Sequence, residues 1–442
     1  MPTSSARRPE FRVERTTSMN MQTTSRLTAA ETALIEAFNQ QIGELPGNGA
    51  VTALRDRLLD DLKKAGLPTR RIEAWHYTDL KNLLRTVPQQ AGDAGSQALE
   101  PLVDDATVLA VIQGHSNQKA TVDGLGVSAY SERLLDGSAA GGLDALGSDD
   151  AVGRINGSFV RDGYVVDVPA DTELETPLEI QFIHAGGQTH TRLPVSFGAG
   201  VKATVIERHL TVTGDAALVS HVSDITVGEG TELTWIILQQ QGADDTHLGQ
   251  IRIDLGADAK LRLFVINAGG KLVRQELHIK VTGEGADLTL RGINLLGAES
   301  HTDVTMVLGH DVPNTGSTEV IRNVVFDRAK GVFQGMIRVA PDAQKTDAKM
   351  ACNTLLMSDD AEFSVKPELE IFADDVQCGH GATVTDIDAN HLYYMMARGI
   401  PENKARAMLV NAFVAEIVEE LDDEALVEAL EGVISAWLEK HA

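Results

Sequence analysis

The chain has 442 residues, of which 64 are Asp or Glu and 38 are Lys or Arg, and its formal net charge is -26. A chain of this length can bury a sizeable core. Its negative charge repels the phosphates of nucleic acids and anionic membrane surfaces. We therefore expect neither nucleic acid nor a membrane among its partners.

The cysteine content indicates a reducing compartment, and the hydropathy indicates a chain that is neither exported nor membrane-spanning. Two cysteines in so long a chain cannot form a disulfide framework, and without a CxxC pair they cannot complete a four-ligand zinc site alone. No run approaches about 18 consecutive apolar residues, and the Ser-, Thr- and Arg-rich start lacks the apolar segment of a secretory signal. We expect a cytoplasmic protein, with residues 1–26 disordered or misassigned as the start of translation.

Residues 27–154 are interpreted as an N-terminal helical domain followed by a connector. Thr28 and Glu31 have the spacing of a capping box, and apolar residues follow at helical spacing up to about residue 85. The connector is rich in Gly, Ala and Asp and has little periodicity. A short strand is expected in it at residues 108–112.

Residues 155–385 contain short runs rich in Val, Ile, Leu and Thr, separated by Gly and Asp turns. A repeated turn recurs every 27 to 30 residues, and its glycines are Gly198, Gly228, Gly256 and Gly283. Such a short unit cannot bury its own apolar face, and Gly supplies the special backbone angles of each corner. We expect a mainly β protein with a right-handed parallel β-helix (β-solenoid) core; a β-sandwich is the alternative.

Helical periodicity returns in residues 386–442, where apolar residues form two amphipathic stripes. This pattern predicts a C-terminal helical domain. Such a domain would cover the open end of the solenoid or receive a partner. We expect the covering role.

Common catalytic motifs are missing from the sequence: there is no GxxxxGK[ST] phosphate loop, GxGxxG, GxSxG or HExxH. We therefore expect a non-enzymatic chain that binds no nucleotide itself. The thirteen histidines are scattered, and pairs such as His184 and His190 could approach one another as metal ligands. The simpler interpretation is that these histidines are hydrogen-bonded within the protein or exposed to solvent.

The best candidate for chemistry is the pair Cys378 and His380. Residues i and i+2 of a strand lie on one face, so a thiolate and an imidazole would be within reach of one ion, a combination that suits iron or an iron-sulfur fragment. Two ligands leave other coordination positions of the ion open, and groups from a partner subunit could fill them. Cys352 lies 26 residues before Cys378, close to the repeat period, and a disulfide between neighbouring coils is a second hypothesis.

The residues around this pair carry a family resemblance. Residues 355–362 and 366–384, which include Cys378-Gly379-His380-Gly381-Ala382-Thr383, closely resemble the SufB and SufD iron-sulfur cluster assembly family. The likeness continues through residues 392–400, and residues 66–80 look like the family's N-terminal motif. The glycine after His380 resembles the SufD branch of the family.

The resemblance implies a β-helix flanked by helical domains, in a non-catalytic scaffold subunit of a SufB-SufC-SufD complex. By this resemblance the β-helix pairs with SufB, and the C-terminal helices in residues 386–442 bind the ATPase SufC. His380, and with it Cys378, would provide metal ligands for transient iron or a nascent cluster at the SufB interface. The resemblance leaves two questions open: whether the isolated chain forms a homodimer, and whether a flavin takes part. The alternatives are a purely structural subunit with all ligands on SufB, and a polysaccharide-active β-helix protein.

Overall fold

A computed structural model describes residues 27–89 and 97–441. The expectation for residues 1–26 lies outside this part of the chain. Among the described helices, none is both long and apolar enough to span a membrane. The architecture is mainly β, with helices on either side of a parallel β-solenoid of two sheets.

The N-terminal helices begin where the sequence predicts them. Helices α1 (Ala29–Gln41) and α2 (Gly49–Ala65) are followed by a 3₁₀ turn and by the short helix α3 (Leu80–Leu83). The predicted capping box is present: the Thr28 hydroxyl accepts from the Glu31 N–H at 3.2 Å, and the Glu31 carboxylate accepts from the Thr28 N–H at 2.6 Å.

The connector is more ordered than its composition suggests. It contains the elements β1 (Thr107–Ile112), β2 (His115–Ser116), β3 (Gly126–Ala129), α4 (Tyr130–Asp136) and α5 (Ala151–Phe159). The predicted strand is confirmed as β1, which pairs in parallel with the solenoid. Helix α5 crosses residue 155, where the β region was expected to begin. Every residue of α5 is buried, because the helix lies between α2 and the solenoid wall.

Sixteen strands form the coils. They are β4 (Asp162–Val168), β5 (Leu178–His184), β6 (Gly187–Phe197), β7 (Lys202–Thr211), β8 (Ala217–Val227), β9 (Glu232–Gln240), β10 (Thr246–Leu255), β11 (Lys260–Asn267), β12 (Leu272–Val281), β13 (Asp287–Leu296), β14 (His301–His310), β15 (Gly316–Val325), β16 (Lys330–Val339), β17 (Asp347–Leu356), β18 (Glu362–Ile371) and β19 (Gln377–Thr385). From β4 onward the odd-numbered strands build one sheet, which continues into β1 and β2 in the order β19-β17-β15-β13-β11-β9-β7-β5-β1-β2. The even-numbered strands build the other sheet, which ends at β3. Each coil therefore contributes one strand to each sheet, and the predicted solenoid is confirmed.

The repeated glycines stack from coil to coil, but for a different reason from the one expected. A Cβ at Gly283 would come within 2.0 Å of the Gly256 carbonyl carbon, so glycine is required there by close backbone approach. The left-handed conformation instead occurs two residues later, at Gly200, Gly230, Asp258 and Gly285. The two positions of each turn thus have separate steric demands.

The solenoid interior is largely apolar, and a polar ladder runs through its C-terminal half. The Asn267 amide donates to Asn294 at 2.8 Å, Asn294 donates to Asn323 at 2.7 Å, and Asn323 donates to Thr354 at 3.0 Å. Each amide nitrogen donates to the side chain on the adjacent strand, so within the described chain only Asn267 Oδ1, at the start of the ladder, lacks a partner among the side-chain oxygens and nitrogens of its three asparagines. The ladder fixes the register of successive coils.

The C-terminal helices lie along the side of the solenoid, which corrects the expectation that they cover its end. They are α6 (Ala389–Met396), α7 (Glu402–Val418) and α8 (Glu424–His441). Val414, Ile417 and Leu430 pack with Phe264 and Ile293 in one buried cluster on the outer face of the odd-numbered sheet. That outer face is apolar at these positions, so packing the helices on it removes apolar surface from water.

No described segment of the chain covers the end of the solenoid at β18 and β19. These are the terminal strands of the two sheets, and their residues are half-buried or exposed where earlier strands are buried. Phe363, Val365 and Leu369 are only partly buried against the core. The last coil therefore presents backbone and apolar side chains that one more layer would cover.

Candidate functional site

The open end carries the predicted pair. Cys378 and His380 lie on β19, in register with Ala348 and Met350 of β17. Both of these neighbours are buried members of the interior core. Because side chains at equivalent positions of stacked strands point the same way, Cys378 and His380 face the interior on one side of the strand.

The two side chains differ in exposure. Cys378 is half-buried and packs against the core, whereas His380 is exposed. A Cβ added at Gly379 or Gly381 would meet nothing within 4 Å. The outer side of β19 is thus uncovered within the described chain, and on the other side a partner or a metal ion reaches the exposed His380 more freely than the half-buried Cys378.

The surroundings of Cys378 favour the protonated thiol over the thiolate in the isolated chain. Burial raises the pKa of this thiol, a hydrogen bond with the Ala348 backbone lowers it, and the negative charge of Asp347 raises it further. The thiolate is the form that ligates metals. A bound cation would therefore have to displace the proton, which metal coordination does readily.

Sequence reasoning missed a buried acid beneath the pair. Glu319 of β15 is fully buried and in register with Met350, which is itself in register with His380. Among the described residues, neither oxygen of this carboxyl makes a hydrogen bond of good geometry, and the nearby Ser317 side chain offsets the effect of burial only in part. Burial raises the pKa of Glu319 to about 8, so the group is protonated at neutral pH. The available signal was that Glu319 lies two residues before Ile321, so strand alternation places both on one face.

Cys352 does not pair with Cys378, which corrects the disulfide hypothesis. Cys352 is in register with Ala382, and Cys378 with Ala348, so the two thiols are offset by four residues, or roughly 13 Å along the strand. Both cysteines are free. Residues in register on β17 and β19 are 30 positions apart, as Ala348 and Cys378 are (378 − 348), which exceeds the 26 residues between the cysteines. Burial raises the pKa of Cys352 to about 12, which makes this thiol inert.

A second cluster of ligand-type side chains lies inside the solenoid, near its N-terminal coils. Glu207 and His209 lie on β7, and His221 lies on β8 of the facing sheet. One oxygen of Glu207, Oε1, is 2.9 Å from His209 Nε2 and 3.2 Å from His221 Nε2. The other oxygen, Oε2, accepts from the Ser223 hydroxyl at 3.0 Å and from Trp235 Nε1–H at 3.2 Å. All three ligand-type residues are buried.

Two more imidazoles surround this cluster. The ring centroids of His247 and His209 are 4.8 Å apart, and the His184 ring stacks on His209 at 6.2 Å. Burial lowers the pKa of all three histidines, which favours their neutral forms. Burial alone would raise the pKa of Glu207, but His221 and His209 hold it below its usual range.

The pair suggested from the sequence, His184 and His190, is not brought together. His184 points inside the solenoid, where its Nδ1 contacts the Thr189 hydroxyl at 2.8 Å. His190 lies outside, stacked on Phe159 of α5 at 4.9 Å. The two strands belong to different sheets, and spacing along the chain gave no indication of their opposite orientations.

Comparison with known proteins identifies the family. Residues 182–413 match the family described as SUF system FeS cluster assembly, SufBD core domain. The chain belongs to the SufBD family. It is 30% identical to the iron-sulfur cluster assembly protein SufD of Escherichia coli over 385 residues, which is 83% of this chain and 88% of that protein.

Two further relatives extend the family match. The chain is 26% identical to a SufBD family iron-sulfur cluster assembly protein of Synechocystis, over 83% of this chain and 86% of that protein. It is also 26% identical to protein ABCI7, chloroplastic, of Arabidopsis thaliana, over 87% of this chain and 86% of the relative. The protein is a SufD-type member of the iron-sulfur cluster assembly machinery, as the resemblance of residues 355–400 implied.

Proposed function

We propose that this chain is a non-catalytic scaffold subunit of a SufB-SufC-SufD complex and that its open solenoid end pairs with SufB. The observation that carries this proposal is the unpaired last coil. Strands β18 and β19 offer about 20 residues of edge backbone with half-buried apolar side chains between them. A partner that is itself a related β-solenoid could continue both sheets with its own terminal strands.

His380 and Cys378 are, in this proposal, ligands for iron or for a nascent cluster at the joint. One imidazole and one thiol on the same side of an edge strand provide two ligands. SufB would provide the remaining ligands across the joint. Iron and the cluster are cargo of the complex, held only while assembly proceeds. Cytoplasmic localisation fits two free thiols, one of them reachable from solvent.

The C-terminal helices are proposed to bind the ATPase SufC. Every residue of α6 is half-buried or exposed, and Tyr393 and Met396 are 74% and 41% exposed. Large apolar side chains in this arrangement are typical of a protein interface. The sequence has no phosphate loop of its own, which supports a division of labour in which SufC binds the nucleotide.

The SufC contact is best tested by surface substitution, because α7 and α8 form a core with the solenoid and their removal would expose it. Tyr393→Ala with Met396→Ala should reduce co-purification with SufC at least about tenfold, the loss expected from removing an interface hot spot. Leu135→Ala, at a site on α4 that is 60% exposed, is the matched control and should have no effect. Undiminished SufC binding by the double variant would refute this partner surface.

The SufB joint is tested by placing a charge on the edge. Val384 on β19 is 41% exposed, and Val212 beyond β7 is 42% exposed. Val384→Glu should reduce SufB co-purification at least about tenfold, because a buried, unpaired carboxylate costs several kcal/mol. Val212→Glu should bind normally. Equal binding by the two variants would place the SufB contact elsewhere.

A further inference from the structure

We propose that the solenoid interior contains a structural site for a divalent transition-metal ion, with Glu207, His209 and His221 as its ligands. This site is distinct from the edge pair Cys378 and His380. Six strand spacings, roughly 29 Å, separate β7 from β19 in the odd-numbered sheet. Metal binding at this interior site does not depend on whether the open end of the solenoid binds SufB.

The ligand atoms already surround one point. One atom from each of the three residues lies within 4.8 Å of the other two. Glu207 Oε1 is 2.9 and 3.2 Å from the two imidazole Nε2 atoms. Ligands bound at about 2.0–2.2 Å to one ion lie roughly 3 to 3.5 Å apart. An ion therefore needs only small side-chain movements to replace the hydrogen bonds.

Neighbouring groups hold the ligands in place. The Thr191 hydroxyl contacts His221 Nδ1 at 2.8 Å, which leaves Nε2 facing the Ser223 hydroxyl at 2.8 Å and Glu207 Oε1 at 3.2 Å. Ser223 and Trp235 donate to Glu207 Oε2, so Oε1 remains the oxygen that faces both imidazoles. Fixed outer contacts of this kind orient metal ligands in known metalloproteins.

The surrounding polar atoms are incompletely paired. Within the described chain, His209 Nδ1, His184 Nε2 and His247 Nδ1 are buried without a hydrogen-bond partner. Burying such groups costs free energy, and so does burying a carboxylate whose basic neighbours within 4 Å are two imidazoles. A dication would balance the charge of Glu207, and His247, with its ring 4.8 Å from His209, is the nearest source of another nitrogen.

The donor set defines the class of ion. Two imidazoles with one carboxylate suit Zn²⁺, Fe²⁺ or Co²⁺, whereas Ca²⁺ and Mg²⁺ prefer oxygen ligands and Cu⁺ prefers sulfur. Because all three ligands are buried inside the coil, the ion would enter during folding and exchange slowly. Its role is to tie the facing strands β7 and β8 together.

The full-length chain carrying Cys378→Ala and His380→Ala, which lacks the edge pair, provides the cleanest test. It is unfolded with chelator, refolded with Co²⁺, and washed with chelator again. We expect about one Co²⁺ per chain with visible d–d absorption, and a higher unfolding temperature than for chain refolded without metal. Natively folded chain with less than about 0.1 Co²⁺ and no absorption would overturn the proposal and leave a hydrogen-bonded cluster.

The ligands are assigned by substitution in the same background. Glu207→Gln with His209→Gln should lower bound Co²⁺ at least about tenfold, while His190→Gln, a buried histidine outside the solenoid, should leave it unchanged. Full retention of Co²⁺ by the folded double variant would overturn the assignment. If that variant does not fold, the refolding of the parent chain with and without Co²⁺ still decides the question.

Discussion

Glu319 and His380 occupy the same interior column of the solenoid, with one strand between them. Both are in register with Met350 of that strand. The column thus leads from a buried, protonated carboxyl group to an exposed imidazole at the open end. The titration of the buried acid is coupled to the stability of the coils that present the edge pair.

Glu319→Gln should remove a pH dependence of stability. Burial raises the pKa of Glu319 to about 8 from an ordinary value of 4.5, so between these values the unfolded chain has lost a proton that the folded chain keeps. The wild-type free energy of unfolding therefore falls as pH rises through this window. We expect urea unfolding to show a loss of roughly 3 to 4 kcal/mol between pH 5 and pH 8 that the variant lacks.

The exposed Glu229 in a turn provides the control for that measurement. Glu229→Gln should leave the pH dependence of unfolding as it is in the wild-type chain. Parallel curves for wild type and Glu319→Gln would contradict the assignment of a protonated interior carboxyl.

The two cysteines should react very differently. Cys352 is buried with its pKa raised to about 12, whereas Cys378 is half-buried at the open end. Iodoacetamide at pH 8 should modify Cys378 and leave Cys352 untouched until the chain is unfolded. Peptide mass spectrometry checks this order of labelling. Equal labelling of both thiols, or a mass lower by two hydrogens under oxidising conditions, would contradict the offset register.

Substitution of the edge pair should reduce metal loading of the complex. His380→Ala removes the exposed imidazole, and we expect iron bound to the purified SufB-containing complex to fall about tenfold, with a smaller loss for Cys378→Ala. His115→Ala, at an exposed site on β2 near the opposite end, is the control and should load normally. Iron analysis of intact complexes gives the comparison. Full loading by His380→Ala would transfer all ligand roles to SufB.

Local patterns in the sequence predicted the coil and the common face of Cys378 and His380. A turn repeated every coil indicates stacking, and strand alternation alone places residues i and i+2 together. The position of α7 and α8 was not predictable in this way. Their stripes show that one face is buried, but the apolar outer face of the odd-numbered sheet becomes visible only when its strands are aligned.

The interior histidine cluster shows the same limit more clearly. Glu207 and His209 share a strand, but His221 joins them from the facing sheet after an intervening turn. No short motif describes this arrangement, because the inter-sheet register of β7 and β8 determines which side chains meet. Glu319 was missed for a related reason: its burial depends on the strands stacked above and below it.

The most direct test of the central claim is amide hydrogen exchange of residues 362–385, measured in the free chain and in the complex with SufB. If this end of the solenoid is the SufB joint, the unpaired amides of β18 and β19 exchange rapidly in the free chain. They become protected when SufB continues the two sheets. Amides of central strands such as β11 should be protected in both states. Unchanged rapid exchange at residues 362–385 in a stable complex would contradict the claim that this end of the solenoid is the SufB joint.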